Sequence, residues 1–139
     1  MKQVPDLRGA PVGLRADGTI EREAAPAVTN PVDLHAVEAA LEIASEVWAL
    51  SMGPPRAEAV LRDAISRGAA GGVLLCDRAF AGSDTWATAN VLAAAVERMG
   101  GVDLVVCGLS ALDGETGQVG PEVAGRLRWP QVTACEALW

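Results

Sequence analysis

LVVCGLSALDGETGQVGPEVAGRL, which runs from Leu104 to Leu127, is the most informative stretch of this chain. It opens with four apolar residues that predict a buried parallel strand, continues through a glycine-rich polar run from Gly108 to Gly120, and reaches Pro121, where a helix is expected to begin. Ligands of open parallel sheets lie beyond the carboxyl ends of the strands, and a helix start there offers unpaired N–H groups to an anion. The order of strand, loop and helix therefore indicates a phosphate site.

The glycine run narrows the kind of ligand. Gly114, Gly117 and Gly120 recur every third residue and allow the backbone to approach a ligand closely, while Thr116 and Gln118 supply a hydroxyl and an amide. Neither the Gly-Lys-Ser/Thr ending of a P-loop nor the G-x-G-x-x-G spacing of a dinucleotide fingerprint is present. A phosphate would therefore rest on backbone dipoles.

Charge in the same run limits that ligand further. No Lys or Arg occurs between Gly108 and Val123, whereas Asp113 and Glu115 are acidic. Like charges repel, so a ligand of lower charge than a triphosphate is favoured. The alternative interpretation is a long connecting turn that binds nothing. Loops of this length without secondary structure are usually functional or disordered.

Composition places the chain in a broad class. Its 139 residues are 50% hydrophobic, which predicts one domain with a real core. The net charge of −7 argues against nucleic acid and anionic membranes as partners. No apolar run approaches the roughly 20 residues that span a bilayer, and no signal peptide is recognised, so a cytoplasmic location is expected.

Isolated reactive residues suggest no chemistry of their own. The three cysteines, Cys76, Cys107 and Cys135, lack C-x-x-C spacing and are expected to pack in the core. His35 has no catalytic partner at a suitable spacing and is expected to be structural or exposed. No metal site or catalytic residue is predicted.

The remaining sequence alternates between strands and helices. A hairpin is predicted from Val12 to Glu23 around Asp17-Gly18, and Asn30 is expected to cap a helix whose first residue is Pro31. Later strands are predicted over 46–52, 72–77, 103–108 and 131–138, and later helices after Pro55, from about 84 to 99 with Ser83 as cap, and over 121–128. This alternation predicts an α/β fold with an open, mostly parallel sheet and helices on both faces, a Rossmann-like domain covering 1–139.

Five motifs carry a family resemblance. They are Lys2-Gln-Val-Pro-Asp6, Asn30-Pro-Val-Asp-Leu-His-Ala36, Leu50-Ser-Met-Gly-Pro-Pro55, Asp77-Arg-Ala-Phe-Ala-Gly-Ser-Asp84 and Asp113-Gly-Glu-Thr-Gly-Gln-Val-Gly-Pro121. Their order and spacing resemble the electron transfer flavoprotein beta subunit, of which this chain resembles the first half to two thirds. Family members normally begin with a strand that ends at the Lys-Gln-Val-Pro-Asp motif. Here Met1 stands in its place, so the sheet is expected to be incomplete at its centre and prone to self-association.

The resemblance implies an adenine nucleotide, AMP in the common members and FAD in those that bifurcate electrons, at the loop described above. Carried over by motif, the implied site comprises the start of the first predicted helix, one strand end and the glycine-rich loop, namely Asn30, Pro31, Val32, Asp33, Met52, Gly108, Leu109, Ser110, Ala111, Leu112, Asp113, Gly114, Glu115, Thr116, Gly117, Gln118 and Val119. Some relatives carry polar side chains at the positions of Gly117 and Val119, so backbone N–H groups are expected to take more of the phosphate here.

The implied function is electron transfer, not bond-making catalysis. In this family the working FAD is held mainly by an alpha subunit, which the beta chain clamps in a heterodimer. The pair relays electrons from acyl-CoA or other flavin dehydrogenases to a quinone reductase or similar acceptor, and the AMP is structural. Two alternatives remain open from the sequence: a nucleotide-binding module like the universal stress proteins, which bind ATP or AMP, and an inactive fragment.

Overall fold

The computed structural model describes residues 1–6 and 26–137. The predicted hairpin over 12–23 lies outside the described residues. In chain order the elements are β1 (Gln3–Pro5), β2 (Ala27–Thr29), α1 (Pro31–Ile43), β3 (Trp48–Met52), α2 (Glu58–Arg67), β4 (Gly71–Leu75), α3 (Thr85–Met99) and α4 (Val119–Leu127). Strands and helices alternate from β2 to α3, which confirms the α/β class.

The best-formed part of the fold is the unit β3-α2-β4. β3 and β4 pair in parallel, with Trp48 opposite Gly71 and Met52 opposite Leu75. The α2 helix covers this pair and buries its Val60 and Leu61 against Ala49 of β3. A Cβ on Gly72 would lie 2.9 Å from the Cβ of Leu61, so a glycine at this position lets α2 pack closely on β4. The apolar pattern of the sequence thus produces a compact parallel unit.

The first helix joins the same core. α1 begins at Pro31, as predicted, and buries Val37 in the cluster formed by α2 and β3, with Leu41 packed against it. Before α1, β1 and β2 form a short antiparallel ladder from Gln3 opposite Thr29 to Pro5 opposite Ala27. No strand was predicted over either segment. Proline disfavours a central strand, but Pro5 is tolerated here because a two-stranded ladder consists only of edges.

The last two helices pack on each other. Ala89 and Ala93 of α3 meet Val123 of α4 in a second small cluster. The cap of α3 is Asp84, whose carboxylate accepts a hydrogen bond from the N–H of Ala87, so the prediction of Ser83 is wrong by one residue. Both side chains are cap formers, and the sequence pattern alone does not separate neighbours of this kind.

Two predicted strands are wrong. Residues 101–108 and 131–137 carry no regular secondary structure, and Leu104 is 56% exposed. A strand requires a neighbouring strand to pair its backbone N–H and C=O groups. Beside β3, on the edge away from β4, the Met1 ammonium donates to the carbonyl of Leu50 at 2.6 Å. The expected open sheet is therefore reduced, among the described residues, to two separate two-stranded ladders.

The cysteine prediction fails for the same reason. All three cysteines are exposed: the strands expected to bury Cys107 and Cys135 do not form, and Cys76 lies just after the end of β4. Cys107 is only partly open to solvent. The residue as a whole is exposed, yet its thiol lies near Gly120, where an added Cβ would lie 3.7 Å from Sγ. Burial raises the pKa of the Cys107 thiol.

Candidate functional site

The start of α1 and the 108–119 loop meet through Asn30. This residue is 1% exposed, and its side chain does not cap its own helix. Its Nδ2 donates to the carbonyl of Ser110 at 2.8 Å, and its Oδ1 accepts a longer bond from the N–H of Leu112 at 3.4 Å. Both ends of the amide therefore bind the loop, and two segments that lie 80 residues apart form one surface.

Gly108 begins the loop directly against α1. A Cβ at this position would overlap the carboxylate of Asp33 and would lie 3.0 Å from the Asp33 nitrogen and from the Val32 carbonyl carbon. These are backbone atoms near the start of a helix and cannot move aside cheaply. Any residue larger than glycine would consequently push the loop away from the start of α1.

Lys2 contacts both segments of the site. Its N–H donates to the Asp33 carboxylate at 2.6 Å, and its carbonyl accepts from the N–H of Asn30 at 2.9 Å. Its ammonium forms a 2.6 Å ion pair with Asp113 of the loop. Lys2 was missed in the sequence analysis because its partner Asp113 lies 111 positions away. Its place in the first family motif was the available signal.

The middle of the loop is a tight turn. The N–H groups of Gly114 and Glu115 both donate to the carbonyl of Ala111, at 3.1 and 2.8 Å. Glu115 and Gly117 have positive φ values of 47° and 63°. A Cβ on Gly117 would lie 3.4 Å from the Leu109 carbonyl oxygen, so space and backbone conformation both favour glycine there.

The loop leads into a helix start with open donors. α4 begins at Val119, two residues before the predicted Pro121, and Gln118 makes no side-chain capping bond. The first N–H groups of a helix lack intrahelical partners and carry the positive end of the dipole. This helix start can therefore accept an anion.

Apolar surface lies beside these donors. Leu109 is 63% exposed and Leu112 is 40% exposed, both within the loop. An adenine ring needs flat apolar contacts, whereas a phosphate needs N–H donors. The loop offers both kinds of surface, which is the combination that a nucleotide requires.

Met52 lies apart from the contacts that join the loop and α1. It ends β3 opposite Leu75, and the next residue, Gly53, donates its N–H to the Leu75 carbonyl at 3.0 Å. The Met1 bond to Leu50 brings the start of the chain beside the middle of β3, and Lys2 follows directly after Met1. Met52 thus lies at the end of β3, and no hydrogen bond among the described residues joins it to the loop.

A separate cavity lies away from the loop. Its volume is about 460 Å³, and it is lined by residues of β1, β2, α1 and α2, including Thr29, Leu34, Val60 and Asp63. Of the predicted site residues only Pro31 lines it. The volume suits a small ligand, but the lining lacks the glycine-rich loop and the α4 start. We therefore assign the candidate nucleotide site to the loop and not to this cavity.

Other candidate chemistry is limited. In residues 1–6 and 26–137, no group of three or more His, Cys, Asp or Glu side chains could hold a metal ion. The side chain of His35 is 82% exposed and lies 4.0 Å from Glu38, as the exposed interpretation predicted. Within the same ranges, each helix is too short or too polar to cross a membrane.

Comparison with known proteins adds the family context. Residues 17–138 match the family model described as the electron transfer flavoprotein domain. The chain is 47% identical over 139 residues to the acryloyl-CoA reductase electron transfer subunit gamma of Anaerotignum propionicum. It is 45% identical over 137 residues to the electron transfer flavoprotein subunit beta of Thermoanaerobacterium thermosaccharolyticum, and 48% identical over 144 residues to the protein FixA of Azorhizobium caulinodans.

These alignments cover nearly all of this chain but about half of each relative. They include 96% of the chain in all three cases, against 52%, 52% and 50% of the three relatives in the same order. The chain thus spans about half the length of the curated relatives it matches.

Proposed function

The chain belongs to the electron transfer flavoprotein domain family, and from this membership we propose that it serves as a beta-type electron-transfer subunit with an adenine nucleotide bound at the 108–119 loop. Two of the relatives bear the names of electron transfer subunits, which supports the electron-transfer role. The family match also favours this function over the universal stress protein alternative, which rests on fold similarity alone.

The observation that carries the nucleotide proposal is the joining of the loop to the start of α1 by Asn30. Its two amide bonds, at 2.8 and 3.4 Å, hold Ser110 and Leu112 against residues 30–33. These are the two segments that the family resemblance names for the nucleotide. The resemblance assigns both segments to one site, and their contact supports that assignment.

The residues present fit a nucleotide of low charge. The uncapped start of α4 and the N–H groups around Gly117 would hold one phosphate, and the exposed leucines of the loop would hold the base. The buried carboxylate of Asp33 and the acidic Glu115 of the loop disfavour a triphosphate. AMP is therefore the proposed ligand, with FAD as the alternative; bound AMP would supply no redox chemistry and would brace the loop.

The partners follow from the same proposal. An electron transfer flavoprotein alpha subunit would carry the working FAD and bind this chain, and the pair would serve acyl-CoA or other flavin dehydrogenases in the cytoplasm. Because the chain covers about half of its relatives, the docking of dehydrogenases belongs to the whole proteins and is proposed only for a chain of that length.

Mass spectrometry of nucleotide released from the purified protein tests the ligand. We expect AMP in a stoichiometric amount, with FAD as the result that selects the alternative. ATP would support the stress protein function, and the absence of any nucleotide, together with no binding of added AMP, would support an inactive fragment. Co-purification with a co-expressed alpha subunit tests the partner, and failure of the two chains to associate would contradict that part.

A further inference from the structure

We propose that Lys2 is a positioning residue that closes the 108–119 loop onto α1 and offsets the acidic charge of the loop, so that the site accepts a monophosphate. This inference rests on the proposed nucleotide binding. Lys2 lies outside the segments that the sequence motifs assign to the ligand, and its role follows from its contacts.

The closing role follows from the number of bonds that a single residue makes. The backbone of Lys2 is fixed on one side by Asp33 and Asn30, through bonds of 2.6 and 2.9 Å. Its ammonium reaches Asp113 on the other side at 2.6 Å. Because the backbone is held on α1 and the side chain on the loop, Lys2 acts as a tie between the two halves of the site.

The burial of the partner makes this ion pair costlier to break than an ordinary surface pair. The side chain of Asp113 is 0% exposed, whereas that of Lys2 is 40% exposed. Breaking a pair that includes a buried carboxylate costs far more than breaking an exposed pair, since the carboxylate cannot turn to water. The tie is therefore expected to hold the loop closed in the absence of ligand.

The charge role follows from the sequence of the loop. No Lys or Arg occurs between Gly108 and Val123, and Lys2 is the only lysine of the chain. Its ammonium brings a positive charge to a loop that carries Asp113 and Glu115. Loss of this charge should weaken the binding of a charged nucleotide more than the binding of a neutral nucleoside. Lys2 thus affects which ligand binds as well as whether the loop is closed.

The test compares AMP with adenosine by calorimetric titration of the purified protein and its variants. In Lys2→Met we expect AMP affinity to fall by about tenfold or more and adenosine affinity by less than about threefold. Lys2→Arg keeps the charge and should recover most of the AMP affinity. The double variant Lys2→Met with Asp113→Asn should also recover part of the AMP affinity relative to the adenosine affinity, because it removes both charges.

A matched control removes one cation elsewhere. Arg62 forms a 2.6 Å pair with Glu58 on α2, and both side chains are largely exposed. Arg62→Met changes the net charge as Lys2→Met does, yet it should leave the AMP to adenosine ratio unchanged. Equal losses of AMP and adenosine in Lys2→Met would show a merely structural role and overturn the charge part; unchanged AMP affinity would overturn the proposal.

Hydrogen exchange in the ligand-free protein tests the closing role separately. Amides of residues 109–118 should exchange faster in Lys2→Met, whereas those of α2, β3 and β4 should not change. Unaltered exchange in the loop would overturn the closing role even if AMP binds. If the unsubstituted protein bound neither AMP nor adenosine, the proposed function and the charge part would fall together, and the exchange result would still decide the closing role.

Discussion

The β3-α2-β4 unit and the 108–119 loop are built in different ways. The first buries apolar side chains from neighbouring elements, with Val60 and Leu61 1% and 4% exposed. The second has no regular secondary structure before α4 and is tied down by polar bonds to Lys2 and Asn30. Local apolar periodicity is thus enough to determine the structure of the first region, whereas the structure of the second depends on contacts with residues distant in sequence.

This contrast predicts where substitutions act. A change in the parallel unit should reduce the free energy of unfolding of the whole domain, because its core is shared by several elements. A change in the loop should reduce ligand affinity and leave most of the fold intact.

The largest effect is expected for Leu61→Ala. Leu61 packs on β4 at Gly72, and its truncation should cost about 2 to 4 kcal/mol of unfolding free energy, measured by urea denaturation. Ile65 lies in the same helix and is 46% exposed, so Ile65→Ala is the matched control and should cost about 1 kcal/mol or less. Equal losses in the two variants would show that α2 is not packed as described.

Gly108→Val should act on the site. Its side chain would meet Asp33 and the backbone at the start of α1, so the loop must move, and AMP affinity should fall by about tenfold or more. Gly114 has open space around its Cβ position, and Gly114→Val should retain much more affinity. Titration with AMP, with circular dichroism as a check on folding, gives the order. Reversal of this order would place the ligand away from the start of α1.

Within the loop, Gly117→Val should weaken AMP strongly, because valine tolerates a φ of 63° poorly. Thr116→Val should cost about 0.5 to 1.5 kcal/mol of binding free energy, since it removes a single hydroxyl. That hydroxyl accepts only a long 3.5 Å bond from the Gln118 N–H, so it is free to serve a ligand. His35→Gln should leave binding unchanged. Loss of binding in the His35 variant with retention in the Gly117 variant would contradict the site assignment.

The smallest effect concerns pH. The hydrogen bond from Thr29, aided by the hydrogen bond and charge of Arg67, lowers the pKa of Asp63 despite partial burial. A carboxyl whose pKa is lower in the folded state adds stability at pH values above its unfolded-state pKa. This contribution is lost as the pH falls through the folded-state pKa. Asp63→Asn should therefore cost under about 1 kcal/mol at pH 7 and less at pH 3, by urea denaturation. A cost that grew toward pH 3 would contradict this sign.

How far the sequence predicts the structure follows the same division. The helices and the strands β3 and β4 were predicted to within about three residues, because their apolar stripes and caps are local signals. The strands over 103–108 and 131–138 were wrong, since an apolar run such as Leu104 to Cys107 forms a strand only where a neighbour pairs with it.

The proposed site stays a prediction, although the structure brings two of its segments together. The glycine spacing and the family motifs pointed to the loop and to residues 30–33. The residue that joins the two segments was given a different role: Asn30 was expected to cap α1, yet its side-chain amide binds the loop. Asn side chains serve both purposes, and only the tertiary structure decides between them.

Hydrogen exchange with and without AMP tests the site assignment most directly, because it locates the ligand residue by residue. We expect slower exchange at residues 109–119 and at the start of α1. We expect no change over Ala59 to Asp63, a segment of which Ala59, Val60 and Asp63 line the separate cavity of about 460 Å³. Protection at Ala59 to Asp63 and at β2, with none in the loop, would place the nucleotide in that cavity and contradict the site proposed for this chain.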